Sequence, residues 1–476
     1  MNKRDFPKIH FYDQDFVDIY DKTWTWIQDF WVDSSLNENS TDGYFIYPQN
    51  NKAEIDQFEA IFSSFFLVYS NRNFPAQQNI DYFYSRQEEN GAIRWKYDLA
   101  TNQPITTEDN PEGIGIPLFA WAEFNLFHKS ANKRRIKDVM PILQKYMDWI
   151  DQNFKQDNGL YSVPASACAM YDSPRSGTVY PIDFNTALAI NAMYMAALGD
   201  ILNDKDLNFQ YKRMYFSLKT RINSMMWNND TFFYHDLDLH EEKLPQKTIA
   251  GFWPLLAEIP NEDKASQLIS HLSNPNTFGA EHPFPSLSMD SPNLRENGEG
   301  FHGSVFPPLN FMVIKGLEKY QRWDLARECS IRHLYYILDA MFPQNPDIKG
   351  DLWDAYLPCK EGVAKKTNDA NFPRQRCIHY AGLSTIALMI ENVIGLSISL
   401  PRKTVDWIIP NLEIMGIENL SLKRNLITIL SNKTQRGWEI QMESEKLYYF
   451  TINILGQKKK TLPIPSGKCS MLIDKL

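Results

Sequence analysis

Between residues 11 and 396, apolar residues recur every three or four positions, a spacing typical of α-helices. Ile142, Tyr146, Ile150 and Phe154 show it clearly. The pattern predicts roughly ten to twelve helices. The segments are 16–31, 55–69, 116–128, 137–154, 185–202, 208–227, 250–257, 265–272, 305–316, 324–341 and 380–394. Because short and long loops alternate between them, we expect an all-α toroid of paired helices with a central cavity and the long loops at one rim.

The period changes after residue 400, where apolar and polar residues broadly alternate, as they do in β-strands. Strands are expected over residues 405–409, 412–417, 426–430, 437–443 and 446–455. We therefore predict a helical domain at residues 1–399 and a small antiparallel β-appendage at residues 400–476. With its aromatic residues Trp407, Trp438 and Phe450, the appendage is interpreted as a structural cap packed on the toroid, with a carbohydrate-binding module as the alternative.

Composition excludes several classes of partner. The chain has 49 Lys and Arg against 58 Asp and Glu, a net charge of −9, and no basic stripe that would bind nucleic acid. No apolar run is long enough for a membrane span, and no secretory signal is visible at the start. The five cysteines are scattered without a C-x-x-C motif, which predicts reduced thiols and a cytoplasmic protein. The histidines lack H-E-x-x-H spacing, so no zinc site is indicated.

The segment at residues 169–177 is the strongest candidate for acid–base chemistry. Hydrolysis of a sugar acetal needs two carboxyl groups, and an apolar or aromatic setting keeps one of them protonated. Asp172 follows Tyr171 and precedes Ser173-Pro174, with Arg175 three residues after the acid. The alternative interpretation is that Asp172 is a turn residue bonded to its own backbone.

Two later segments carry further candidates. Asp354 lies between Trp353 and Tyr356, so it is a candidate for the second carboxyl group, although an ordinary loop edge has the same composition. A polar loop from residue 286 leads to a helix start at Pro307 or Pro308. His302 and Asn310 in this region could donate hydrogen bonds to sugar hydroxyls, or His302 could be an ordinary loop histidine.

The order of these motifs resembles the (α/α)6 glycoside hydrolases. It reads Y-D-S-P-R and P-I-D-F-N, then M-D-S-P-N and F-H-G-S-V-F-P-P-L-N-F, then L-W-D-A-Y-L-P, E-G-V and H-Y-A-G-L-S. The group includes trehalases, processing α-glucosidase I of glycoside hydrolase family 63, and bacterial mannosylglycerate hydrolases. The resemblance extends over residues 43–395. It implies an (α/α)6 barrel.

The resemblance also implies roles for individual residues. The family's general acid corresponds to Asp172 and its neighbouring arginine to Arg175. The general base, normally a Glu, corresponds to Asp354, so either the backbone lies closer to the sugar or the role belongs to another residue, such as Glu361. Asp56 corresponds to a family aspartate near the pocket and is a substrate-binding candidate.

Further substrate-binding candidates are Arg175, Tyr171, Trp353, Tyr356, His302 and Asn310. Phe301-His302-Gly303 stands where relatives carry W-R-G, which changes the expected sugar contacts.

By resemblance, the chain is expected to be an inverting hydrolase that releases a sugar from an α-linked glucoside or mannoside, without a metal or other cofactor. The expected partner is a small glycoside or oligosaccharide, and the oligomeric state is left open. One alternative is a non-catalytic sugar-binding homologue, which the two departures from the family pattern motivate. The other is a sugar 2-epimerase, with His302 and His379 exchanging a proton at carbon.

Overall fold

The structure is a computed structural model. It describes residues 6–32, 44–45, 47–49, 52–170, 173–343, 350–365, 380, 382–408, 414–422, 425–444, 449–455, 460–465, 467 and 469–474.

Twelve helices are found within these residues. They are α1 (Gln14–Phe30), α2 (Gln57–Leu67), α3 (Gln78–Tyr84), α4 (Phe119–Ser130), α5 (Lys133–Phe154), α6 (Ile182–Leu202), α7 (Lys205–Arg221), α8 (Trp253–Leu256), α9 (Glu262–Ser273), α10 (Pro307–Lys319), α11 (Trp323–Met341) and α12 (Leu383–Val393). Each of the predicted helical segments overlaps one of them. The additional helix is α3, whose seven residues are too few for a clear helical period.

The even-numbered helices form the inner ring of the molecule. They contact one another in the order α2, α4, α6, α8, α10 and α12, and α12 closes the ring against α2. Nearly every residue of α2 and α10 is buried, as expected for helices that are surrounded by others. The odd-numbered helices include amphipathic outer ones such as α1 and α5. The fold is therefore an (α/α)6 barrel, as predicted.

Long connections meet at one end of this ring. The inner helices α4, α6, α8 and α10 are each followed by an outer helix after a short turn, such as residues 131–132 or 203–204, so these inner helices run parallel to one another. Each inner helix is preceded by a long connection. We call these the first to sixth rim loops, and they span residues 31–56, 85–118, 155–181, 222–252, 274–306 and 342–382. The amino ends of the inner helices and all six rim loops thus lie at one rim.

The opposite end of the ring contains a buried ionic cluster. Lys315 Nζ lies 2.8 Å from Glu391 Oε2 and 2.7 Å from Glu318 Oε1. Lys129 Nζ lies 3.8 Å from Glu391, and the Tyr69 hydroxyl donates a hydrogen bond to the same carboxylate. These residues come from the carboxyl-terminal ends of inner helices or just beyond them, so ionic contacts join the helices at this end.

The β-structure is spread more widely than the sequence predicts. The strands are β1 (Lys8–His10), β2 (Trp31–Val32), β3 (Tyr44–Phe45), β4 (Tyr47–Gln49), β5 (Lys52–Asp56), β6 (Lys96–Asp98), β7 (Trp227–Asn228), β8 (Phe233–Tyr234), β9 (Leu396–Ser399), β10 (Thr404–Ile408), β11 (Met415–Leu422), β12 (Asn425–Lys433), β13 (Gly437–Ser444), β14 (Tyr449–Leu455), β15 (Lys460–Pro465) and β16 (Cys469–Asp474). The two carboxyl-terminal sheets have the orders β1-β11-β12-β13-β16 and β15-β14-β10-β9.

Three features of these sheets differ from expectation. Strand β1 comes from the amino terminus, and β9 begins before residue 400. Neither strand was predicted, because three or four residues are too few to show a clear alternation of apolar and polar side chains. Strands β10 and β14 are parallel, although the other pairs in these two sheets are antiparallel. Trp407 is buried, and its Nε1 donates to the carbonyl oxygen of Ile394 at 2.9 Å, which agrees with a structural cap.

No helix among the described residues combines the length and the apolar character needed to cross a bilayer.

Candidate active site

The predicted site residues lie on the rim loops or directly after them. Asp56 ends the first rim loop and Arg175 lies in the third. The fifth rim loop carries His302, and Asn310 follows it in the first turn of α10. The sixth carries Trp353, Asp354 and Tyr356. The candidates Tyr171 and Asp172, and His379 of the epimerase alternative, lie outside the described residues.

The third rim loop is held by a buried ion-pair network around Arg175. The guanidinium contacts Asp183 at 2.8 and 2.9 Å and Asp236 at 2.6 and 2.7 Å. All three side chains are at most 6% exposed. Asp236 also accepts a hydrogen bond from the backbone of Ile182 at 2.8 Å. The two carboxylates raise the pKa of Arg175 despite its burial, so the cation is permanent and links the loop to α6 and to the fourth rim loop.

The same network anchors both sides of the Tyr171-Asp172 dipeptide. On one side, the backbone N–H of Ala169 donates to Asp183 Oδ2 at 3.1 Å. Next to the dipeptide, Ser173 Oγ donates to the carbonyl oxygen of Met170 at 2.7 Å. On the other side, Arg175 is bound as described above. These contacts hold the chain on both sides of the dipeptide. A contact between Arg175 and substrate stays a prediction.

Neighbouring rim loops are joined by backbone pairing. The bridge between Tyr180 and Leu237 joins the third and fourth loops, and the bridge between Thr248 and Leu287 joins the fourth and fifth. Val305 and Tyr356 pair across the fifth and sixth. The first and second loops pair through β5 and β6. The third to sixth rim loops are therefore one connected series, and the first and second form a separate pair.

The sixth rim loop buries Asp354. This residue is 9% exposed, whereas Tyr356 is fully buried. The Tyr356 hydroxyl accepts a hydrogen bond from the backbone N–H of Trp353 at 3.0 Å. Trp353 is partly buried against the core. Tyr356 therefore stabilises the sixth rim loop from within the protein. Its full burial does not favour the predicted contact with substrate.

Glu361 differs from Asp354 in its surroundings. It is exposed and is hydrogen-bonded to Asp339 of α11, whose pKa is raised by burial and by the charge of Glu361. Its position outside the buried part of the loop favours Asp354 over Glu361 as the second carboxyl group.

Asn310 and His302 also have contacts within the protein. Asn310 is fully buried; it donates to the carbonyl oxygen of Pro283 and accepts from the backbone N–H of Phe284 at 2.9 Å. It therefore holds the fifth rim loop, and its predicted contact with substrate is not supported. His302 is half-buried, with Nδ1 3.3 Å from the carbonyl oxygen of Asn293. A sugar contact for His302 stays a prediction.

Asp56 belongs to a charged cluster at the start of α2. Its Oδ1 accepts hydrogen bonds from the backbone N–H groups of Phe58 at 2.7 Å and Glu59 at 3.2 Å, which caps the helix. Its Oδ2 lies 3.3 Å from Lys96 Nζ. Burial raises the pKa of Glu59 to about 8, and the charges of Asp56, Glu54 and Asp354 raise it while Lys96 lowers it. The cluster thus interacts electrostatically with the sixth rim loop.

Sequence reasoning missed Asp236, Glu59 and Lys96, and it missed the pairing of Asp183 with Arg175. Asp183 lies in the first turn of α6, after an N-cap at Pro181. Glu59 had a recognisable signal, because it is the one charged residue in the otherwise uncharged sequence of α2. Asp236 had none, since its pairing with Arg175 connects positions 61 residues apart.

Among the described residues, His, Cys, Asp and Glu side chains form no group suited to a metal ion. A cavity of about 590 Å³ lies at the other end of the barrel, beside Val68, Lys129 and Ser421. Because Val68 follows α2 and Lys129 ends α4, this cavity is distant from the rim loops.

Comparison with known proteins links this chain to a family. A sequence profile described as the mannosylglycerate hydrolase MGH1-like glycoside hydrolase domain matches residues 71–337, and one for the trehalase C-terminal domain matches residues 395–476. An uncharacterized protein of Borreliella burgdorferi is 54% identical over 477 residues, which is 100% of both chains.

Two more distant proteins are also similar. The periplasmic trehalase of Salmonella paratyphi C is 26% identical over 165 residues, which span 34% of this chain and 27% of the trehalase. The crystal structure of the GH63 mannosylglycerate hydrolase from Thermus thermophilus in complex with Tris superposes with a TM-score of 0.61 at 17% identity, over 77% of this chain and 99% of that one. This structural likeness agrees with the barrel fold. Because the first profile covers more than half of the 476 residues, the chain belongs to the mannosylglycerate hydrolase MGH1-like glycoside hydrolases.

Proposed function

We propose that the protein is an inverting glycoside hydrolase in which Asp172 is the general acid and Asp354 the general base. The observation that carries this proposal is the arrangement of the inner ring. The third rim loop precedes α6 and the sixth precedes α12, and these helices are three places apart in a ring of six. Two carboxyl groups on these loops would thus approach a sugar from opposite sides.

The chemistry follows from that arrangement. Asp172 donates its proton to the glycosidic oxygen as the bond to the anomeric carbon breaks, and Asp354 takes a proton from the water that attacks the opposite face. An inverting enzyme needs roughly 6.5–9.5 Å between the two carboxyl groups, which leaves room for this water. Arg175 and its aspartates act indirectly by holding the acid-bearing loop. The burial of Asp354 supports its role, because exclusion of bulk water strengthens electrostatic effects in a site.

The substrate proposed is an α-linked glucoside or mannoside, on the basis of the relatives' names. The Thermus relative is called a mannosylglycerate hydrolase and the Salmonella relative a trehalase. Mannosylglycerate and trehalose are therefore the first substrates to test. A cytoplasmic location is part of the same proposal. It is consistent with the free thiols of the described cysteines Cys168, Cys329 and Cys359, because thiols stay reduced in the cytosol. Cell fractionation with an antibody to the protein would test it.

The variants Asp172→Asn and Asp354→Asn test the proposal with both substrates. Each variant should lower the rate of sugar release at least about 10²–10⁴-fold, which is the usual contribution of one acid or base. Asp263→Asn, on the exposed first turn of α9, is the matched control and should keep the rate. Wild-type-like release by either site variant would contradict the assignment. Sugar binding without turnover would favour a non-catalytic homologue, and a product of unchanged mass would favour an epimerase.

A further inference from the structure

The outer helix α7 exposes two phenylalanines on one face. Phe209 is 71% exposed and Phe216 is 57% exposed, whereas Tyr211 and Tyr215 of the same helix are buried. Seven residues make nearly two full turns of an α-helix, so Phe209 and Phe216 lie on the same side of α7. Both rings leave apolar area in contact with water, which is unfavourable. The exposed face of α7 is therefore a candidate for contact with a partner outside the chain.

Positive side chains flank the two phenylalanines. Lys205, Lys212 and Arg213 are all exposed. They lie three or four residues from Phe209 or Phe216, a spacing that makes side chains neighbours on a helix surface. Within the part of the chain that the structure describes, no ion pair joins these three cations to an acidic side chain. We call these five residues the α7 surface.

The charge of α7 differs from that of the whole chain. The helix has five basic residues and one acidic residue, Asp206, although the chain has a net charge of −9. Lys219 and Arg221 bind backbone carbonyl oxygens, which leaves the three cations of the α7 surface available. At physiological salt, exposed charges more than about 8 Å apart are largely screened. The electrostatic potential beside the α7 surface is therefore set by its own cations and complements a negatively charged partner.

The position of the α7 surface favours a lipid bilayer as this partner. Helix α7 packs on α6 through its buried face, so the phenylalanines project from the side wall of the barrel. A bilayer interface accepts projecting apolar side chains without a matching pocket, and its anionic head groups attract nearby Lys and Arg. Contact between the α7 surfaces of two copies would instead bring like charges together at Lys212 and Arg213.

We propose that the α7 surface binds anionic lipid bilayers peripherally. Phe209 and Phe216 enter the head-group region, and Lys205, Lys212 and Arg213 contact lipid phosphates. Binding of this kind needs no long apolar segment, because the attachment lies on the surface of the bilayer. The side wall of the barrel faces the bilayer, so the rim loops stay open to solvent. The inference does not depend on the proposed hydrolytic reaction.

Cosedimentation of the full chain with vesicles tests the proposal. Vesicles of phosphatidylcholine with phosphatidylglycerol should bind the wild-type protein, and vesicles of phosphatidylcholine alone should not. The double variant Phe209→Ser, Phe216→Ser should lower the partition coefficient about ten-fold or more, because it removes the apolar contact. The double variant Lys212→Gln, Arg213→Gln should lower it about ten-fold or more and weaken its dependence on salt.

Two control variants match these changes elsewhere on the molecule. Leu239→Ser removes an apolar side chain that is 72% exposed in the fourth rim loop. The double variant Lys137→Gln, Lys145→Gln removes the same charge from exposed positions of the outer helix α5. Both controls should bind the mixed vesicles as the wild-type protein does. Circular dichroism would establish that all variants are folded, as expected for changes at exposed positions.

Several results would overturn the proposal. They are a wild-type protein that does not bind the mixed vesicles, a phenylalanine variant that binds them unchanged, and a charge control that loses binding as far as the α7 charge variant does. Sedimentation velocity without lipid, and binding of polyglutamate, examine the other occupants. An oligomer that the phenylalanine variant dissociates would assign the α7 surface to a second copy. Binding to polyglutamate but not to vesicles would assign it to an acidic protein.

Discussion

The guanidinium of Arg175 is surrounded by two carboxylates that have almost no exposure. In such a network each charge has lost its hydration, and the charges compensate one another through direct hydrogen bonds. Removal of the Arg175 cation would leave the carboxylates of Asp183 and Asp236 buried without a positive partner between them. Because the network also connects to Ala169, we expect its loss to release the loop that carries Asp172.

Arg175→Met should therefore destabilise the protein and lower its activity together. Breaking a buried ion pair by removing one partner costs about 3–5 kcal/mol, which denaturant unfolding would measure. Arg134→Met is a suitable control, because Arg134 is 90% exposed in its pair with Asp138 and such pairs contribute about 0–1 kcal/mol. An Arg175→Met protein as stable as the control would show that the network does not hold the loop.

At the residue scale, the sequence predicts which residues lie at the rim better than it predicts which of them can contact a substrate. Asp56, Arg175 and Asp354 all lie at the predicted rim, because motif order and loop position can be recognised in one sequence. Tyr356 and Asn310 are fully buried under the loops. Whether a side chain points into a cavity or into the layer beneath depends on packing between distant segments, which a local pattern does not encode.

At the scale of elements, a chain of buried histidines connects the sixth rim loop to the barrel. His282 Nδ1 lies 3.1 Å from the carbonyl oxygen of Leu357, and its Nε2 lies 2.6 Å from Nδ1 of His333. His333 Nε2 lies 2.8 Å from Ser384 Oγ on α12. A consistent set of donors has His282 Nδ1–H donate to the carbonyl, His333 Nδ1–H donate to His282, and Ser384 donate to His333. Both imidazoles are then neutral.

This neutral state predicts sensitivity to acid. Burial lowers the pKa of His333 to about 3, and burial together with His333 lowers that of His282. An unfolded histidine takes up a proton near pH 6.5 and the folded ones do not, so stability is lost as the pH falls below that value. His333→Gln should reduce the loss of unfolding free energy between pH 7 and pH 5 by up to about 2 kcal/mol.

Denaturant unfolding at the two pH values is the measurement for the histidine chain. His240→Gln, on an exposed part of the fourth rim loop, is the control and should keep the wild-type difference. The same pH dependence in His333→Gln and wild type would mean that His333 already carries a proton in the folded state.

Across the whole molecule, the barrel and the β-sheets share one core. Strand β1 precedes the first helix and pairs with β11. Leu400 donates its backbone N–H to the carbonyl oxygen of His128 at 2.8 Å, and His128 Nδ1 lies 2.8 Å from Ser399 Oγ. Trp407 is buried against the end of α12. These contacts join the sheets to the chain before α1, to the end of α4 and to the end of α12. Residues 1–399 and 400–476, which the sequence predicts as two domains, therefore pack against each other.

We therefore expect a single cooperative unfolding transition. Calorimetry and Trp fluorescence should give the same midpoint, as they do for a two-state protein. Trp407→Phe, which removes the buried indole and its hydrogen bond, should lower that midpoint for the entire molecule. Two separated transitions, with Trp407→Phe changing only the smaller one, would instead support independent domains at residues 1–399 and 400–476.

The helical part of the fold could be predicted because its signal is local and repeated. Eleven helical segments carry the apolar period and are present, and their number with the alternating loops indicates a ring. The recruitment of β1 and the parallel pairing of β10 with β14 could not be predicted, since both depend on contacts between segments far apart in the chain. Lys96 was missed for the same reason, because its pairing with Asp56 joins distant positions of the chain.

The anomeric form of the first product tests the central claim most directly. Mannosylglycerate and trehalose would be incubated with the protein, and the released sugar would be followed by ¹H NMR before mutarotation equilibrates it. Two carboxyl groups on opposite sides of the ring predict that α-linked mannosylglycerate first releases β-mannose, and that trehalose releases one β-glucose and one α-glucose because only one of its two anomeric carbons is attacked. Neither Asp172→Asn nor Asp354→Asn should do so at more than about a hundredth of the wild-type rate. First appearance of α-mannose from mannosylglycerate, or of α-glucose alone from trehalose, would contradict the account, because it would require a covalent intermediate and a different pair of groups.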